Sequence, residues 1–144
     1  MSFDRLAIPE SLIQEVITHA RETLPNECCG LLVGRIADGV GIASKRFTIG
    51  NDAHSPTAYS TNHFDLFNAF RAMRAVDLDL LAVYHSHPGA EPVPSRRDVT
   101  ENTYGETIVH IIIGLNGKLP SIRAWRLFDS DVREVEWNRL AEST

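Results

Sequence analysis

At 144 residues and 43% hydrophobic content the chain can bury one core and is short for two, so a single domain over residues 1–144 is expected. A formal net charge of -5 argues against a nucleic-acid surface, which needs clustered Lys and Arg on one face; the one dense basic pair is Arg96-Arg97. No apolar run approaches the ~20 residues of a membrane span, Met1 to Glu10 lacks the basic and apolar regions of a signal peptide, and the adjacent Cys28 and Cys29 are a poor basis for a stapling disulfide, so the expectation is a cytoplasmic protein with neither membrane nor nucleic-acid partners.

In chain order, Leu12, Ile13, Val16, Ile17, Ala20 and Leu24 recur at helical spacing and predict an amphipathic helix from Pro9 to about Leu24, ending before Pro25. Glu27 to Arg35 reads as a strand. Asp38-Gly39 is a turn pair that returns the chain into a second strand from Val40 to Ile49. Asn51 to Asn62 reads as a loop. From Phe64 to Val76 the apolar positions Phe64, Phe67, Phe70, Ala72, Met73 and Val76 mark a second helix, with Thr61 or Asn62 as its N-cap. The run Leu80 to Tyr84 is a strand that ends in His85-Ser86-His87-Pro88, and Gly89, Pro92 and Pro94 then form a stiff loop into a short helix from about Ser95. Ile108 to Leu115 is nearly all apolar, as in a strand covered on both faces. After the Asn116-Gly117 turn come a strand from Ile122 to Phe128 and a last extended segment from Val132 to Trp137. The sum is an α/β protein whose mixed sheet carries helices on its faces.

The segment from His85 to Asp98 carries the chemistry. On a strand, residues two apart face the same side, so His85 and His87 can share one ion; on a helix they would stand roughly 200° apart, from about 100° per residue. With Asp98 they supply three metal ligands, and Ser95 adds a hydroxyl. Three protein ligands and an open position are what a hydrolytic zinc ion needs, because the remaining position holds the water whose pKa falls to about 7. A carboxylate within hydrogen-bond reach of that water can take its proton and pass it to a leaving amine. Each residue also has a plainer reading. Ser95-Arg96-Arg97-Asp98 has the form of a helix capping box, and paired histidines at a strand end are commonly hydrogen-bonded surface residues. Coincidence within one short segment favours the metal.

With an upstream Glu27 in a Cys-Gly-Leu-Leu-Val-Gly context, the pattern His85, His87, Ser95, Asp98 resembles the JAMM (MPN+) zinc metallopeptidases. The resemblance spans about Leu6 to Trp137 and implies a cytidine-deaminase-like fold. It implies one zinc per chain held by His85, His87 and Asp98, Glu27 as general acid/base, and Ser95 as hydrogen-bond donor to the developing oxyanion. Glu27 is tied to the site by the resemblance alone. Because Ser95 and Asp98 lead almost directly into a compact helix and strand, the chain looks like the minimal prokaryotic form. That form implies a substrate as well: a small ubiquitin-like or sulfur-carrier protein, cut after its C-terminal Gly-Gly. The carrier, the released group and the oligomeric state are not written in these residues.

Three other readings compete. His85-x-His87 with Glu91 superficially matches a cupin-type iron or manganese site, without the glycines that motif expects and with two helices that fit a cupin barrel badly. A non-catalytic MPN interaction module would have lost motif residues, and none is lost here. A DNA-repair-associated branch with a similar pattern fits poorly with the acidic balance. Elsewhere, Cys28 and Cys29 read as buried thiols, His110 as a satisfied core histidine and His19 as a helix-boundary residue. His54 and His63 read as exposed, with lining of a substrate groove as the other possibility, and Trp125 and Trp137 as strand packing residues.

Overall fold

Residues 2–141 are described by the computed structural model, and the elements along them run β1 (Arg5–Pro9), α1 (Glu10–Thr23), β2 (Cys29–Ala37), β3 (Val40–Ile49), α2 (His63–Ala75), β4 (Asp79–His87), α3 (Arg96–Thr100), β5 (Val109–Gly114), β6 (Ser121–Leu127) and β7 (Val132–Leu140). The strands hydrogen-bond in the order β1-β3-β2-β4-β5-β6-β7 and close on themselves, because β1 pairs in parallel with both β3 and β7. Pairings β2–β3, β2–β4, β5–β6 and β6–β7 are antiparallel and β4–β5 is parallel, so the sheet is mixed, as expected. Strand β1 was not legible in the sequence. It is five residues long, its apolar positions are consecutive, and it runs straight into α1 with no turn residue between them. Its role is to occupy the two edges that β3 and β7 would otherwise leave unpaired.

Helices lie on both faces of the sheet. On one face Leu12, Ile13, Val16, Ile17 and Ala20 of α1 pack on Leu6, Leu32, Tyr84, Ile111, Ala124 and neighbouring positions. The opposite face carries Cys29, Leu31, Ile49 and Val83 under Ala69 of α2, and Ile112, Trp125 and Leu127 beside Val99 of α3. Period-2 alternation therefore gives β4 two roles: Ala82 and Tyr84 face α1, whereas Val83, and with it His85 and His87, face the side of α2 and α3. Gly30 pairs with Tyr84, and the phenol ring fills the space that a Cβ at Gly30 would need. That ring is anchored in turn by His19 Nδ1 at 2.7 Å and Arg46 at 3.1 Å from its hydroxyl.

Most local expectations hold. Asp38 and Gly39 have φ of 52° and 77°, the positive values that a two-residue hairpin turn of this kind demands. Asn62 caps α2 by accepting the Asp65 N–H at 3.0 Å. The face that α2 buries differs from the expected stripe. Phe64 and Phe67 are 80% and 60% exposed, and Ala69 and Met73 are the buried pair with Leu66 partly buried. Phenylalanines at both sides of the helix blurred its period, and only the position of the sheet beneath selects the side.

Candidate metal centre and active site

His85 and His87 stand at the end of β4, where two neighbouring strands hold them. Antiparallel pairing sets Cys29 opposite His85, and parallel pairing sets Ile112 and Gly114 beside His85 and His87. Beyond β4 the chain would be free, yet its loop is pinned. Leu115 N–H donates to the His87 carbonyl at 3.1 Å, and the Trp125 indole donates to the Pro92 carbonyl at 2.9 Å. Gly114 lets Pro92 lie against the strand, since a Cβ there would sit 2.6 Å from Pro92 Cδ. The pinned loop brings the Glu91 carbonyl to 2.8 Å from His87 Nδ1. A carbonyl only accepts, so Nδ1 carries the proton and Nε2 presents its lone pair.

Asp98 arrives from the first turn of α3. Ser95 is the N-cap: its hydroxyl accepts the Asp98 N–H at 3.1 Å, and its own N–H donates to Asp98 Oδ2 at 2.9 Å. This capping box aims Oδ2 at the histidines. His85 Nε2, His87 Nε2 and Asp98 Oδ2 are mutually 3.2 Å apart. A regular tetrahedron with that edge has its centre about 2 Å from each corner, the length of Zn–N and Zn–O bonds. With both rings neutral and protonated on Nδ1, the two Nε2 lone pairs and Asp98 Oδ2 converge as three donors for one cation. Among the described residues these three form the one cluster of His, Cys, Asp or Glu donors close enough to hold a metal ion. Glu91 contributes its backbone to His87 and stands outside the cluster, which removes the third ligand that a cupin-type site would require.

Glu27 reaches the same place from a strand distant in sequence. Cys28 O accepts the Ser86 N–H at 3.2 Å and Cys28 N–H donates to Ser86 Oγ at 2.8 Å, continuing the β2–β4 pairing past Cys29. Two residues before Cys29, Glu27 therefore lies across from His87. It is 3% exposed, its Oε1 has no hydrogen-bond partner, and it lines a cleft of about 290 Å³ with His87, Ser95, Pro56, Gly89 and Ala90. A second cleft of about 330 Å³ opens on the Asp98 side, between Tyr59–Thr61, His63 and the stretch from Arg97 to Tyr104.

Burial and charge set the protonation states. Burial pushes the Glu27 carboxyl up to about 8, helped by Asp98 and opposed by His87 and Arg97. Asp98 is pulled the other way: burial disfavours its charge, but hydrogen bonds with His85 and His87 and the Ser95 N–H hold it well below the usual carboxylate range. Burial lowers His85, whereas His87 is raised because Asp98 and the Glu91 carbonyl outweigh its burial. Burial raises the thiols of Cys28 and Cys29 to about 11 and about 12, so both are inert, free and buried, as expected.

Tyr59, in the loop between β3 and α2, stacks on the His85 ring with centroids 4.5 Å apart. No local pattern marks it. His63 is exposed on the rim of the second cleft, and His54 is exposed in the loop. Trp125 and Trp137 pack on strands as expected, with Trp125 also clamping the loop. His110 is buried as expected but is not satisfied: neither ring nitrogen has a hydrogen-bond partner.

A family model described as prokaryotic homologs of the JAB domain matches residues 9–128. The CysO-cysteine peptidase of Mycobacterium tuberculosis is 30% identical over 133 residues, covering 92% of this chain and 90% of that protein. A probable TtuB-protein conjugate cleaving protease of Thermus thermophilus is 33% identical over 113 residues, covering 78% and 72%. A solution structure of a Desulfitobacterium hafniense protein superimposes with a TM-score of 0.86 at 27% identity, covering 95% of this chain and 94% of that one.

Proposed function

Because the chain belongs to the prokaryotic homologs of the JAB domain, we propose that it is a zinc-dependent (iso)peptidase that hydrolyses the bond after the C-terminal Gly-Gly of a small ubiquitin-like or sulfur-carrier protein. One observation carries the chemistry: three donor atoms mutually 3.2 Å apart, with a buried carboxyl and a serine lining the cleft beside them. The substrate class is supported by the relatives, one named for a CysO-cysteine bond and one for TtuB-protein conjugates. Two free buried thiols are in keeping with a cytoplasmic location, and helices on both faces of a mixed sheet with a cytidine-deaminase-like architecture.

His85, His87 and Asp98 would hold one zinc, which when bound supplies Lewis acidity to polarise the scissile carbonyl and acidify the attacking water. Glu27 takes the proton of that water and returns it to the leaving amine. Burial raises this carboxyl and so favours the protonated form that gives the proton to the leaving amine. Ser95 uses its oxygen to cap α3, which leaves its own proton free to donate to the developing oxyanion. The cleft beside Glu27 is bordered by Pro56, Gly89 and Ala90, so an extended tail without side chains is what it admits.

The test is mass spectrometry of carriers extended past Gly-Gly, incubated with zinc-loaded enzyme and with Glu27→Gln. Cleavage directly after Gly-Gly by the wild type alone is expected. Cleavage elsewhere, or undiminished turnover when Gly-Gly becomes Ala-Ala, overturns the assignment of substrate.

A further inference from the structure

His85 has a second nitrogen, and its proton has nowhere to go. With Nε2 given to the ion, His85 carries its hydrogen on Nδ1. That atom is fully buried and has no hydrogen-bond partner among the described residues. His87 solves the same problem with the Glu91 carbonyl.

The neighbouring strand holds a second imidazole with the complementary defect. His110 is 1% exposed, sits in the otherwise apolar run Val109–Ile113, and has no partner for either ring nitrogen. In the parallel β4–β5 register His110 pairs with Val83, and Ile112 pairs with His85. His110 and His85 are thus diagonal neighbours on one face of the sheet, where aromatic side chains remain within reach of each other. Tyr104 contacts the His110 ring edge-to-face and Tyr59 stacks on the face of His85, and neither contact supplies a hydrogen-bond partner to His85 Nδ1 or to the His110 nitrogens. A buried histidine without a hydrogen-bond partner is costly to the fold.

We propose that His110 is a positioning residue for the metal centre: one buried water accepts the Nδ1–H of His85 and donates to the His110 imidazole, which so fixes the tautomer and ring setting in which His85 Nε2 points at the ion. A buried water needs at least two polar partners, and the two rings supply them. His110 is kept neutral by its burial, so it presents a lone pair. The inference rests on the metal-site reading above.

The test measures zinc affinity by chelator competition, and thermal midpoint of the metal-free protein, for wild type, His110→Leu and His110→Gln. Losing such an outer partner lowers zinc affinity by about 10- to 100-fold. His110→Leu is therefore expected to bind zinc that much more weakly, with the thermal midpoint of its metal-free form showing that it remains folded. His110→Gln, which keeps an acceptor, should stay within a few-fold of wild type in affinity. Wild-type affinity in His110→Leu, or equal weakening in the two variants, overturns the proposal. His110→Phe, closer in shape, takes the place of the leucine variant if that one does not fold. A wild type that takes up no zinc would instead overturn the metal-site reading itself.

Discussion

Ser95 and Asp98 bind each other twice: the serine hydroxyl accepts the Asp98 N–H at 3.1 Å, and the Ser95 N–H donates to Asp98 Oδ2 at 2.9 Å. The same Oδ2 stands 3.2 Å from His85 and His87. The capping box and the donor cluster therefore share Asp98 Oδ2, which helix capping turns toward the two histidines. The capping reading of Ser95 and Asp98 is observed, and it is compatible with a metal at the same oxygen.

This double use separates two effects of Ser95. Ser95→Ala should cost about 1 kcal/mol as a lost N-cap, and about 10²- to 10³-fold in rate as a lost oxyanion donor. Ser95→Gly keeps most of the cap and should lose only the rate. Thermal midpoints and kcat on both variants decide it: equal rates for Ser95→Gly and wild type would leave the hydroxyl with capping alone.

Removing a donor should empty the centre. His85→Ala, His87→Ala and Asp98→Ala are each expected to lose more than the about 10- to 100-fold in zinc affinity typical of outer partners. Metal analysis of purified variants is the measurement. Full zinc occupancy in all three would dissolve the proposed ligand set.

Glu27 gives a pH signature in the metal-free protein. Its folded pKa of about 8 lies above the unfolded 4.5, so its contribution to stability is fully present below about pH 4.5 and is lost as pH rises through about 8. Glu27→Gln does not titrate. The variant's thermal midpoint should therefore rise relative to wild type across that window, by about 5 °C or more at its upper end. With zinc it should retain the metal and lose most turnover. A constant gap from pH 5 to 8 would show that Glu27 is ionised in the fold at all these values.

Trp125 tests the pinned loop. Trp125→Phe leaves the Pro92 carbonyl without its donor, at a cost of about 1–3 kcal/mol, and frees the loop that carries Glu91 to His87. Trp137→Phe breaks a bond to Ile122 on the α1 side of the sheet, the face opposite the donor cluster. Both should lower the midpoint, and only the first should lower kcat/KM and zinc affinity. Parallel losses of activity in the two would deny the loop a part in the site.

What could be read along the chain is what short-range geometry decides. Alternation puts His85 and His87 on one side of β4, a serine three residues before an aspartate makes a helix start, and the spacing from Leu12 to Ala20 makes one buried stripe. These depend on neighbours within a turn or a strand, so the residues themselves carry the signal. Tertiary structure alone decided the rest. Glu27 meets His87 only through the β2–β4 register, Tyr59 meets His85 only because a loop folds back, and α2 buries Ala69 and Met73 beneath two exposed phenylalanines because of where the sheet lies. Strand β1 closes the sheet by pairing with β3, in the first third of the chain, and with β7 near its end. Such pairings join segments separated by long loops, and the free energy that selects them comes from surfaces buried between those segments, which no local pattern records.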